Sequence, residues 1–120
     1  MTKELTAQES HNLAMNIVGE ELEEEGYEFL AINSNLKKNP QFVALKNKKT
    51  IFVLVRPVNS EIDLGHPQNI EIAPILKHAD KYNAVVFYAG VWLGHGLDIN
   101  KPIINGEEYS FVYGGLKELK

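Results

Sequence analysis

Cysteine is absent, which excludes disulfides, thiolate zinc sites, Cys-ligated iron–sulfur clusters and cysteine nucleophiles. The side chains whose ordinary pKa lies near neutral pH are four histidines, His11, His66, His78 and His95. None has HExxH or a similar spacing that would set two ligands on one helix face. His11 and His78 fall in helical stretches, where a surface or half-buried structural role is expected, and His66 beside Pro67 reads as loop. His95, between Gly94 and Gly96 with Asp98 nearby, is the most site-like of the four, because glycines allow close backbone approach. Gly94-His95-Gly96 is not a phosphate loop, since no Lys-Ser/Thr follows, and Ser10, Ser34, Ser60 and Ser110 lack a nucleophile-elbow context.

Charge is unevenly distributed. The net charge of -4 argues against a general nucleic-acid binder. Glu20, Glu21, Glu23, Glu24, Glu25 and Glu28 form an acidic block, whereas Lys37, Lys38, Lys46, Lys48, Lys49 and Arg56 lie in a stretch without an acid. The plain reading is two solvated surfaces; the functional one is an acidic side and a phosphate-binding basic side. Phe87, Tyr88, Trp92, Tyr109, Phe111 and Tyr113 could line a groove or stack bases, but alternating aromatics are expected as sheet core and cross-strand pairs.

These residues need a scaffold, and 120 residues of 44% hydrophobic content fit one domain, residues 1–120, with one core. There is no apolar run long enough to span a membrane and MTKELTAQES has no secretory h-region, so a soluble cytoplasmic protein is expected. Thr6-Ala7-Gln8-Glu9 has capping-box spacing, and Leu13, Ala14, Ile17, Val18 and Leu22 make one helical face that stops at Gly26. From Tyr27 the period becomes two, giving a first strand; Gln41–Leu45 and Ile51–Val55 supply a hairpin around Lys46-Asn47-Lys48-Lys49. Ile51–Val55 is apolar throughout and should be central, ending at Arg56-Pro57. Residues 58–69 read as a loop that crosses the sheet, followed by a helix through Ile72, Ile75, Leu76 and Ala79 that ends near Asn83. Ala84–Ala89 then forms a strand parallel to one of the first three. Gly90–Gly96 is expected to bend, Ile103-Ile104 and Tyr109–Tyr113 to form a final hairpin around Asn105-Gly106, and Gly114-Gly115 to end it before a short tail.

Helix, three-strand meander, helix, strand and an added hairpin is an α/β mixed-sheet order that resembles the αβββαβ core of the restriction-endonuclease-like, PD-(D/E)xK nuclease superfamily. A Glu-rich helix ending at Gly26-Tyr27 and followed by FLAINS is similar to small relatives of Holliday-junction resolvases, and the resemblance covers residues 6–93. In active members it implies an Asp on the second strand and a Glu-x-Lys on the third, which hold Mg²⁺ and orient a water. Gap-free matching puts Gln41, Leu54 and Arg56 at those positions, so the resemblance implies a degenerate site in one pocket at one end of the hairpin, without its carboxylates.

TAQESHNLAMNIVG, NPQFVAL and FVLVRPV also resemble small bacterial proteins commonly labelled as a subunit of Na⁺-translocating NADH:quinone reductase. Such a subunit needs a membrane anchor, a Cys-ligated cluster and nucleotide-binding domains; without cysteine or GxGxxG the label is read as misapplied. The expected function is a non-catalytic interaction domain, without cofactor or metal, that binds a protein or a second copy through a sheet edge or the acidic helix. The alternative is nucleic-acid binding through Lys37, Lys38, Lys46, Lys48, Lys49 and Arg56. A residual Mg²⁺-dependent nuclease, with acids such as Glu28, Asp63 or Glu71, comes third.

Overall fold

A computed structural model describes residues 5–35, 39–58, 64–65, 71–95 and 109–120. Helix α1 (Ala7–Glu24) starts in a capping box: Thr6 Oγ1 accepts from the Glu9 amide at 3.1 Å, and Glu9 Oε1 accepts from the Thr6 amide at 2.9 Å. The bond from the Thr6 amide, and then the Thr6 side chain, hold the Glu9 carboxyl below its ordinary pKa. The helix ends at Gly26 in a left-handed conformation (φ 92°), with the Gly26 amide donating to Glu23 O and the Tyr27 amide to Leu22 O.

One sheet holds the described strands β1 (Glu28–Ile32), β2 (Phe42–Lys46), β3 (Lys49–Val58), β4 (Val85–His95) and β5 (Tyr109–Leu119), in the order β1-β2-β3-β4-β5. β3 and β4 are parallel, as the crossover through helix α2 (Ile72–Asp80) requires, and the other neighbours are antiparallel. The element order is the αβββαβ order expected, with β3 central. Alternation on β3 sends Val53 and Val55 to a cluster under α1 with Ala14, Val18, Leu22 and Val91, and Phe52 and Leu54 to a cluster under α2 with Ala79 and Val86. Helix α2 ends at Asp80 and is followed by a turn in which Asn83 is left-handed (φ 53°), with the Ala84 amide donating to Ala79 O.

Three expected boundaries are corrected. β3 runs through Arg56-Pro57 to Val58. Val55 turns its N–H towards the β2 side, and Pro57, two residues on, turns its nitrogen the same way, past the last β2 partner, where no ladder bond is demanded of it. β4 runs through the expected bend to His95 because its glycines serve close packing: a Cβ on Gly90 would lie 2.8 Å from the Leu64 carbonyl oxygen, and one on Gly94 would lie 2.5 Å from Trp92 Cη2. The segment at Leu64 thus lies on the sheet, as a crossing loop should. Gly114-Gly115 does not end β5. The β4–β5 register slips between Ala89 and Val91, making a bulge on β5 in which Gly115 takes φ 82°. β5 pairs antiparallel with β4; the expected hairpin strand at Ile103-Ile104 and its turn at Asn105-Gly106 lie outside the described residues.

Candidate functional site at the end of strand β3

β2 pairs with β3 only as far as Phe42 opposite Val53, which leaves Val55 directing an N–H and a C=O at a place without a strand. Two side chains fill it. Gln41 Oε1 accepts from the Val55 amide at 2.8 Å, and Arg56 Nη1 donates to Val55 O at 2.7 Å and to Gln41 Oε1 at 3.1 Å. Asn39 Oδ1 closes the cluster by accepting from Arg56 Nη2 and from Gln41 Nε2. Gln41 is also tied by its backbone, donating to Val53 O at 3.0 Å and accepting from the Asn33 amide at 2.8 Å. A fully buried glutamine with this many partners is what a buried amide needs.

His11 of α1 lies near this corner. It is fully buried, and among the described residues neither ring nitrogen has a hydrogen-bond partner. Burial first, and then the Arg56 charge, push its pKa down to about 4, so the ring is neutral at pH 7. Burial also lowers the pKa of Arg56 from its ordinary value.

Of the three positions matched to the nuclease motif, Gln41 and Arg56 touch, while Leu54 is buried in the apolar cluster under α2. The donor set does not suit Mg²⁺. The Gln41 oxygen is occupied by two N–H donors, Leu54 has no oxygen, and the guanidinium places a positive charge where a cation would sit. Among the described residues, no group of three His, Asp or Glu side chains is arranged to hold a metal. Glu28 pairs with Leu45, near the other end of the hairpin, and Glu71 precedes α2; Asp63 lies outside the described residues.

Among the described residues, Arg56 is set apart from the basic turn at Lys46, Lys48 and Lys49. Asn47 (φ 52°) and Lys48 (φ 66°) make the tight turn from β2 to β3, with Lys48 and Lys49 exposed at its tip. Arg56 is seven residues along β3 from Lys49 and engaged with Gln41 and Asn39. Lys46 Nζ lies over the Tyr27 ring, 5.3 Å from its centroid, which brings a cation to the acidic C-terminal end of α1. Lys37, Lys38, His66 and Asp98 lie outside the described residues.

The acidic block is split by the helix. Glu20 and Glu23 look onto a groove beside β1, while Glu25 and Glu21 act on Tyr113 of β5, whose pKa is raised to about 12 by burial first and then by these carboxylates. His78 packs against the Phe52 and Tyr82 rings at 5.4 and 5.5 Å. Asn39 and the burial of His11 are the features that sequence reasoning missed. Among the described residues no helix is long and apolar enough to cross a membrane. No curated protein and no solved structure matches the chain. A family model matches residues 8–119, and by it the chain belongs to the DUF8840 family, a domain of unknown function.

Proposed function

We propose that the chain is a non-catalytic domain of nuclease-like fold that acts by binding protein through an edge of its sheet. The observation that carries this reading is the exposure of large apolar side chains on both outer strands, Leu30 and Ile32 on β1 and Tyr109, Phe111 and Val112 on β5. The filled corner at Gln41 and Arg56 supports it from the other direction, because the Gln41 side-chain oxygen already accepts from the Val55 amide and from Arg56. Quinone reductase activity forms no part of the reading.

Light scattering and affinity recovery with the 120-residue chain test it. A dimer, or a recovered partner whose binding is saturable and lost in Ile32→Lys or Phe111→Lys, is the expected result. A strictly monomeric chain that recovers no partner would contradict it. Nucleic-acid binding remains the second reading, supported by exposed Lys48 and Lys49. It predicts retardation of an oligonucleotide at low salt that disappears in Lys48→Glu/Lys49→Glu.

A further inference from the structure

Strand β1 has β2 on one side and, among the described residues, no strand on the other. Its register slips between Phe29 and Ala31, which sets Leu30 on one face while Phe29 and Ile32 share the opposite one. Leu30 is 52% exposed and Ile32 61%. Each lines its own groove. Ile32 lies in one of about 470 Å³, with Phe29 and Phe42 as apolar floor and Asn12, Glu20 and Glu23 of α1 as wall. Leu30 lines another of about 310 Å³ on the opposite face, with Val43, Phe52, His78 and Tyr82. Between the grooves runs backbone that, among the described residues, has no strand partner. The Asn33 amide turns inward to Gln41 O, so strand alternation turns the Ile32 N–H and C=O outward.

We infer that this edge takes an extended peptide as an added strand beside β1, its alternate side chains entering the two grooves. The assignment rests on the protein-binding reading above and names the partner's chemistry: lysine or arginine on the side facing Glu20 and Glu23, and large apolar residues on the side facing Leu30, Phe52 and Tyr82. The acid wall decides against a second copy here. An antiparallel pairing of two β1 edges puts the same patch against itself and brings Glu20 and Glu23 of both copies together, whereas a basic strand meets complementary charge.

Fluorescence anisotropy with the full chain tests this, using three labelled synthetic peptides: lysine alternating with valine and phenylalanine, the same peptide with glutamate for lysine, and a scrambled order of the first. The lysine peptide is expected to bind best, with up to about tenfold weaker binding of the glutamate form. Charge reversal in Glu20→Lys/Glu23→Lys is expected to invert that preference, and Ile32→Pro, which removes an outward N–H, to weaken the lysine peptide. Equal binding of lysine and glutamate peptides, binding untouched by both variants, or self-association through β1 would overturn the assignment. So would failure of every peptide to bind. A chain that still recovers a saturable partner then keeps the general reading and loses only this edge and this chemistry.

Discussion

Val55 directs an N–H and a C=O at a place where β2 no longer runs, and the side chains of Gln41 and Arg56 answer both. Gln41→Ala is expected to cost about 2–3 kcal/mol, because it leaves a buried amide without an acceptor and frees Arg56 from one of its partners. Leu54→Glu should cost more, about 3–5 kcal/mol, since it buries a charge among Phe52, Ala79 and Val86 with nothing opposite. Urea denaturation gives both values; equal costs would contradict the separate placement of the two positions. His11 makes a third case. Its folded pKa of about 4 lies below the ordinary 6.5, so the stability carried by the neutral ring is complete above pH 6.5 and is lost as pH falls towards 4, at up to about 1.4 kcal/mol per pH unit. His11→Leu should remove that slope and be at least as stable at neutral pH, because it deletes two unpartnered buried nitrogens. The same slope in the variant would show that other groups carry it. At this scale, matching apolar positions was enough to bring Gln41 and Arg56 together. It could not reveal Asn39 or the burial of His11, because both depend on how α1 and the turn before β2 meet the end of β3.

Glycine is where local reading and the formed elements part. Gly90, Gly94, Gly114 and Gly115 read as a bend and a stop, since isolated sequence cannot tell a turn glycine from one that makes room. In the fold, Gly90 and Gly114 both lie under the Leu64 carbonyl and Gly115 forms a bulge, so both strands continue. Gly90→Ala should therefore lower stability by about 1–3 kcal/mol, because the nearest atoms belong to the Leu64 backbone and the Tyr88 hydroxyl. Gly65→Ala, where among the described residues nothing stands within 4 Å of the added Cβ, should change little. Thermal melts of the two variants check the contrast, and a harmless Gly90→Ala would mean that the Leu64 segment is not held against the sheet. Signals with a local physical cause were legible: the Thr6–Glu9 capping box, the Gly26 stop and the apolar run of β3 all form as written. Pro57 misled because its cost depends on which neighbour strand is present, a property of the sheet and not of the residue.

Across the whole molecule, charge and apolar surface are sorted by the two sides of α1 and the two edges of the sheet. The six acidic residues from Glu20 to Glu28 look like one block in sequence. In the fold, Glu20 and Glu23 wall the groove beside β1, whereas Glu21 and Glu25 bear on Tyr113 of β5. That division gives the β1 edge its sign, and the bulge near Leu30 gives it an apolar side chain on each face. The partner chemistry follows from both. Amide hydrogen exchange of the full chain, with and without the lysine-bearing peptide, addresses the β1 edge directly. Slowed exchange at the outward Ile32 amide, with little change at the Lys46–Lys49 turn, is the predicted result; protection confined to that turn or to β5, with Ile32 unchanged, would contradict it.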